Sequence, residues 1–416
     1  MADNEKRFEE DIERYLITEG GWEKGSDAGY RVDNMADRAM DVDTLISFVQ
    51  STQPAMWSRF EKNCKSDTKL KFYNAVENAI AADGLVRVLK HGFKYRGMEF
   101  RVCYFKPESS LNKLAMSRYE SNICQCVRQW HYSNKNNNSV DMALFINGIP
   151  VVAIELKDQY TGQSVEDAKL QWMTDRDHRE NAFRFNHRIL TYFAVDLKEA
   201  WMTTKLNGIN TKFLPFNQGS KGAGHNGGAG NPSADDNDYP TSYLWKNILN
   251  RESLLDILQN FISHKVTKDN PKGTIIFPRY HQWHVVMELE KDVLARKECR
   301  SYLIQHSAGS GKSNSIAWLA YRMASLHDED NNPVYNSVII VTDRRVLNTQ
   351  LQDTIGGFDH QLGAIELIDG LKKGSSDLLK AVNDGKKIIV STLQRFSVIH
   401  EDVDDMKGKR FAIIVD

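Results

Sequence analysis

The stretch VDMALFINGIPVVAIELK, residues 140 to 157, constrains the fold of this chain more than any other. Two apolar runs flank Asn147-Gly148, and Asn-Gly between β-forming runs is a strong signal for a tight hairpin. Runs apolar on both faces belong inside a layered α/β structure rather than on a wet sheet. Yet Asp141 sits near one end, and Glu155 and Lys157 at the other. Residues two apart on a strand share a face, so Glu155 and Lys157 point the same way. Ala143, Phe145, Val151 and Ala153 fall on that face too, which argues for a partly buried site rather than two surface carboxylates on an edge hairpin. Buried charges are paired or bind metals, and two neighbouring carboxylates repel unless a cation lies between them. Mg²⁺ takes such oxygens and keeps water as its other ligands. Register decides the matter. A two-residue turn with unbroken pairing sets Asp141 opposite Ile154 and turns Glu155 to the other face. A shared cation therefore requires a three-residue loop at 147–149 or a β-bulge, and one of these is expected.

Composition sets the frame. The 416 residues allow two or three domains, and 41% hydrophobic with 26% charged residues is ordinary for a globular chain. A net charge of −1 gives no global attraction to nucleic acid or anionic membrane, so any basic surface is local. No apolar run is long enough to span a bilayer, and MADNEKRFEEDIERYL is too polar for a signal peptide. The five cysteines lack zinc-site spacing and read as reduced thiols of a cytoplasmic protein.

Along the chain, Phe8, Ile12, Tyr15 and Leu16 mark one face of an N-terminal helix, and residues 36 to 90 read mostly helical. LVRVLKHGFKYRGMEFRVCYF (85–105) alternates apolar and basic residues, as half-exposed strands do. Six Lys and Arg between 87 and 106 face one acid, Glu99, which suits a phosphate-binding groove or simply a solvated sheet face. SVEDAKLQWMTDRDHREN reads as helix, with strands at 188–196 and 199–208. The tract 217–240 reads as a flexible glycine-rich loop. Its formal GxGxxG at Gly222, Gly224 and Gly227 lacks the strand-before, helix-after context and is set aside. An amphipathic helix over 243–262 bridges to a series of buried parallel strands: SYLIQ, SVIIVT, KKIIVST and FAIIVD. The expected architecture is α/β: a mixed-sheet domain over 1–216, the loop 217–240, a helical bridge over 241–270, and a parallel-sheet domain over 271–416.

The second chemical site is YLIQHSAGSGKSNSIAWLAYRMA, which reads as strand, glycine loop and helix. Gly309 and Gly311 let backbone N–H groups, with that of Ser310, turn toward phosphate oxygens. Lys312 reaches the β- and γ-phosphates of ATP, and the Ser313 hydroxyl takes the nucleotide's Mg²⁺. His306 stands where the strict pattern has its first glycine. Asp416, after the apolar run FAIIV, is placed to hold the same ion. Because the chain stops on that apolar run, a fragment is expected.

The hairpin residues resemble the PD-(D/E)xK nuclease motif, here Asp141 followed by Glu155-Leu-Lys157, with Val140 in place of the motif's proline. That resemblance implies catalytic roles for all three, a metal on Asp141 and Glu155, and help from an acid on the first helix, Glu9 or Glu10. Gln171 resembles the Gln of a Q-x-x-x-Y element, although position 175 is Asp. In the second half, Gln282 resembles the adenine-reading Gln of superfamily 2 helicases. VTDRRVLNTQ and STLQRF resemble their DNA-backbone motifs, with Arg344, Arg345 and Thr392 as phosphate contacts.

Order and combination, together with FRFNHRILTYFAVDLKEAWMTT, LPFNQG and TSYLWKNIL, resemble the restriction subunit of type I restriction–modification enzymes. The resemblance implies ATP-driven translocation of double-stranded DNA, Mg²⁺-dependent cleavage, and partnership with methyltransferase and specificity subunits. As it stands, the chain is expected to bind nucleotide weakly if at all, and not to translocate. Two other classes stay open: a repair helicase–nuclease, separated by whether a methyltransferase co-purifies, and a non-catalytic DNA-binding assembly module, separated by whether Asp141→Ala or Lys157→Ala changes cleavage.

Overall fold

The computed structural model describes residues 2–27, 39–108, 111–159, 162–235, 238–296, 300–342, 365–367, 375–394 and 408–416. The chain divides into two compact units, the first of residues 1–107 and 112–280, the second of 108–111 and 281–416.

The first unit is built on a seven-stranded mixed sheet in the order β1 (Glu23–Lys24), β4 (Cys124–His131), β5 (Ser139–Ile146), β6 (Ile149–Leu156), β7 (Thr191–Val195), β8 (Ala200–Thr203) and β9 (Leu214–Pro215). The β1–β4 and β6–β7 pairs are parallel and the others antiparallel. Both central strands are buried on both faces, as their apolar runs require. One core cluster collects Ala143, Phe145 and Ala153 from the hairpin with Trp130, Trp172, Phe183 and Tyr192.

Helices α1 (Ala2–Thr18), α2 (Val42–Thr52), α3 (Pro54–Cys64), α4 (Thr68–Asp83), α5 (Leu85–His91), α6 (Lys113–Glu120) and α7 (Val165–Thr174) belong to this unit, with α1 against β4 and α7 against β6 and β7. On α1 the residues Phe8, Ile12 and Leu16 are buried, the stripe that periodicity predicts. The segment 85–91, expected as strand, is helix α5 instead. Leu85, Val88 and Leu89 are buried at helical spacing, and left-handed Gly84 and Gly92 close both ends. Only β2 (Phe93–Tyr95) and β3 (Met98–Phe100) form the hairpin expected beyond it.

The six basic residues of this stretch are occupied locally. Lys94 pairs with Glu99 at 2.8 Å, Lys106 with Glu252 at 3.3 Å and Arg87 with Asp83 at 3.9 Å. Lys90 and Arg101 donate to the Ile262 and Lys90 carbonyls, and Arg96 lies over the Tyr95 ring.

Residues 217–231 fold on themselves, with Gly219 N–H bonded to Gly230 O at 2.8 Å and Ser220 N–H to Gly228 O at 3.0 Å. The stretch 244–261 is π-helix, α8 (Arg251–Asp256) and π-helix in succession. It packs on the start of the chain, where Trp22 Nε1 donates to Leu249 O and Trp245 meets the Phe8 ring edge-on. The hairpin of β10 (Ser263–Lys265) and β11 (Thr274–Ile276) follows.

The second unit contains a four-stranded all-parallel sheet ordered β13 (Ile365–Leu367), β14 (Ile388–Thr392), β12 (Ser337–Thr342) and β15 (Phe411–Val415). Helices α9 (Tyr280–Arg296), α10 (Lys312–Ser325) and α11 (Ser375–Asn383) complete its described elements. Every residue of β12 and β14 is buried, whereas β15 exposes Ile413 and Val415. The expected strand SYLIQ does not form, and Leu303 is 96% exposed. An apolar run becomes strand only where a neighbour takes its backbone groups, and residues 301–307 join no ladder.

Candidate active site

The hairpin turn sits at Asn147-Gly148, both residues in the left-handed region (φ 50° and 79°) that a two-residue turn of this type needs. The turn is buried. Asn147 donates to Val102 O and to Asn122 Oδ1, each at 2.9 Å, and a Cβ on Gly148 would lie 2.0 Å from the Asp41 carbonyl. From the turn, Ile146 pairs with Ile149 and Phe145 with Pro150, the plain two-residue register. The register then shifts: Leu144 pairs with Val152, Ala143 with Ala153 and Met142 with Ile154. Val151 is the extra residue of a β-bulge. Continued by one step, the shifted register sets Asp141 across from Glu155, the outcome the acid pair requires.

Glu155 is fully buried and Asp141 nearly so, at 0% and 8% exposure. Asp141 Oδ2 accepts the Leu156 N–H at 2.7 Å, which fixes its carboxylate against the end of β6. Glu155 Oε1 pairs with the buried Arg176 guanidinium at 2.7 Å, and Arg176 Nη2 also donates to the Ser139 carbonyl at 2.7 Å. Glu155 Oε2 is buried without a hydrogen-bond donor. Burial and the adjacent Asp141 carboxylate drive the Glu155 pKa well above the usual range, with Arg176 opposing. Lys157 is also buried, and its backbone N–H donates to Val195 O at 2.9 Å.

Of the two first-helix acids, the structure brings Glu9 to the site. Glu9 is 5% exposed, and its Oε1 accepts from Gln129 Nε2 at 2.9 Å. Burial and Asp141 push its pKa up to about 7, against the lowering bonds from Gln129 and Arg128. Glu10 is half exposed and lies 3.7 Å from Arg128. Gln171 lies partly exposed on α7 and makes no hydrogen bond to Asp141 or Glu155. Three residues that the sequence reading passed over take part: Arg128, Gln129 and Arg176. Arg176 lies in the charged run TDRDHREN, where nothing marks one cation among its neighbours. Gln129 carries a faint signal, because buried Cys126, Val127 and Trp130 break the strand alternation around it.

Two acids in contact, one with an orphaned oxygen in the interior, make a donor set that suits a hard divalent cation. Among the described residues no three His, Cys, Asp or Glu groups are spaced to hold a metal ion. Any cation here therefore completes its shell with other oxygens.

In the second unit, Gly309 and Gly311 take positive φ (72° and 83°), and Lys312 begins α10. Lys312 is exposed and Ser313 half-buried at this helix start, whose first N–H groups have no helical partner. The buried hydroxyl of Ser310 in the loop lacks a partner, as does that of Ser315 in the first turn of α10. Gln282 is buried and donates to the Ser310 and Gly311 carbonyls at 3.1 and 3.0 Å. The φ of 83° at Gly311 favours glycine, and a Cβ there would displace the Gln282 amide, whose Nε2 would lie 2.4 Å away. Thr392 ends β14, mostly buried, and Asp416 follows β15 with its N–H on Val341 O at 3.0 Å. Arg344 and Arg345 lie outside the described residues.

Residues 9–211 match the family model described as Type I restriction enzyme R protein N terminus, and residues 281–416 match that of the SWI2/SNF2 ATPase. The chain is related to the R subunits of type I restriction enzymes. A Methanocaldococcus jannaschii protein named as the MjaVIIIP endonuclease subunit of a type I restriction enzyme is 26% identical over 284 residues, 64% of this chain and 25% of that protein. The HindI endonuclease subunit of a Haemophilus influenzae type I restriction enzyme is 25% identical over 272 residues, 63% of this chain and 24% of that one. The matched region thus spans about a quarter of the length of these curated relatives. Among the described residues, no helix is long and apolar enough to cross a membrane.

Proposed function

We propose that the first unit is a PD-(D/E)xK-type, divalent-metal-dependent endonuclease domain for double-stranded DNA, and the second the ATP-binding domain of a DNA-translocating motor. Together they act as the restriction subunit of a type I complex, beside methyltransferase and specificity subunits. The observation that carries this reading is the bulge at Val151, whose register brings Asp141 against Glu155 and leaves a buried carboxylate oxygen without a donor.

A bound Mg²⁺ would supply a Lewis acid and an acidified water for attack on a phosphodiester. The chain's own groups do the rest. The Leu156 N–H holds Asp141 in one orientation, and Arg176 takes one oxygen of Glu155 so that the other is left for the ion. Lys157 would supply an ammonium for the attacking water or a phosphate oxygen, and Glu9, joined to Asp141 through the Gln129 amide, adds negative charge at the rim of the site. In the motor, Gly309, Ser310 and Gly311 cradle phosphates, Lys312 neutralises them, and Ser313 with Asp416 serves the nucleotide's Mg²⁺. Gln282 turns from the loop carbonyls to the adenine edge, and Arg344, Arg345 and Thr392 track the DNA backbone.

The test is cleavage of target DNA by a restriction subunit of the full length of the curated relatives, reconstituted with its methyltransferase and specificity subunits. Asp141→Ala and Lys157→Ala are each expected to lower cleavage by a factor of about 100 or more while ATP hydrolysis stays within about twofold. Undiminished cleavage in either variant overturns the assignment.

A further inference from the structure

Gln129 stands in β4 at the position across from Asp141, and there the β4–β5 ladder is interrupted. Arg128 pairs with Met142 and Trp130 with Val140, but Gln129 adopts φ 48° and pairs with nothing in the ladder. A left-handed backbone inside a strand costs a non-glycine residue on the order of 1 kcal/mol, and such strain gathers where function needs it. Here it aims the side-chain amide at the acids. Gln129 Nε2 donates to Glu9 Oε1 at 2.9 Å and to Asp141 Oδ1 at 3.3 Å, while Gln129 Oε1 accepts from Ser139 Oγ at 2.7 Å. Gln129 is exposed, whereas Glu9, Asp141 and Glu155 are buried, so the amide lies on the solvent side of the acid cluster.

We propose that Gln129 is a cation ligand of this site, reached by a half-turn of its amide that exchanges Oε1 for Nε2 between Glu9 and Asp141. Three observations converge on it. The exchange leaves the heavy atoms in place, because an amide's two ends have nearly the same shape. The partner on the far side tolerates both states: Ser139 Oγ donates to Oε1 now and accepts from Nε2 after the turn. Finally, neighbouring oxygens around an octahedral Mg²⁺ with bonds of about 2.1 Å lie about 3 Å apart. An oxygen at the present place of Nε2 would sit 2.9 and 3.3 Å from the two carboxylate oxygens. Without a metal, the N–H groups offset the repulsion of the two acids. With one, the amide oxygen supplies the ligand that the acids lack, since no three described acidic, His or Cys groups are spaced to hold an ion.

This inference rests on the metal-dependent reading above, and the test separates the two. Mn²⁺ uptake by the 416-residue chain is measured from the loss of the free-ion electron paramagnetic resonance signal, without nucleotide or DNA, with Asp141→Asn as background. Gln129→Ala is expected to weaken uptake about tenfold, and Gln129→Glu, which keeps an oxygen at that place, to stay within about threefold of wild type or bind more tightly. Uptake in Gln129→Ala equal to or tighter than wild type overturns amide ligation and leaves the metal site standing. Equal losses in both variants overturn it too, because the amide then matters as a donor. Wild-type uptake no greater than that of Asp141→Asn sinks the metal reading itself, and this inference with it.

Discussion

At the scale of single residues, the site is a balance of buried charges. Arg176 and Glu155 form an ion pair that is 4% and 0% exposed. Removing one member of such a pair strands the other in the interior. Arg176→Ala is therefore expected to destabilise the first unit by about 3 kcal/mol in urea unfolding, well beyond the range of a surface substitution. Gly148 makes a different demand. Its φ of 79° and the Asp41 carbonyl 2.0 Å from any added Cβ leave no room for a side chain. Gly148→Ala is expected to cost about 2 kcal/mol or more and to loosen hydrogen-exchange protection across β5 and β6. The buried pairing of Asp141 with Glu155 was legible in the sequence because charges among buried apolar residues are conspicuous. Gln129 and Arg176 were not. Their importance comes from a backbone outlier and from a long-range ion pair, and neither leaves a periodic trace.

At the scale of elements, the hairpin was legible down to its irregularity, since the acids required a longer loop or a bulge and the bulge formed at Val151. The segment 85–91 misled because Val86-Arg87-Val88 alternates like a strand, while Leu85, Val88 and Leu89 satisfy a helix equally well. Over seven residues the two periods cannot be told apart, and the flanking glycines decide. SYLIQ misled for another reason: composition names a strand but not the ladder that accepts it. Helix α4 offers an element-level prediction. Its Glu77 meets His187 at 3.1 Å and pairs with the buried Arg188, both in the segment leading to β7. Burial alone would raise the Glu77 pKa, but the His187 hydrogen bond and the Arg188 charge hold it down at about 2. A carboxyl lowered from the usual 4.5 adds stability above that pH and loses it as pH falls toward 2. Glu77→Gln is expected to lower Tm by about 5 °C at pH 7 and by progressively less toward pH 3. A deficit that is independent of pH would assign the loss to packing.

At the scale of the whole molecule, a mixed and a parallel sheet stand on one chain, and each was foreshadowed by its strand pattern: a charged hairpin in one, continuous β-branched runs in the other. What strand patterns do not carry is how far the first unit extends. The tract after 216 reads as linker by composition, yet its backbone closes on itself and 244–261 packs on the first helix. If the proposed nuclease and motor serve one reaction, disabling the motor should silence cleavage without emptying the nuclease site. Lys312→Ala in a reconstituted complex whose restriction subunit has the full length of the curated relatives is expected to abolish displacement of a third strand bound to the duplex ahead of the motor and to reduce cleavage of circular DNA about 100-fold or more. Mn²⁺ uptake by the first unit should be unaltered.

The central claim is that Asp141 and Glu155 share a divalent cation. A crystal of the chain soaked in Mn²⁺ and measured at the manganese edge tests it most directly. The account predicts an anomalous peak within coordinating distance of Asp141 and of the Glu155 Oε2 that is now without a donor. Full occupancy of Mn²⁺ elsewhere in the crystal, with no peak at these two carboxylates, would contradict it.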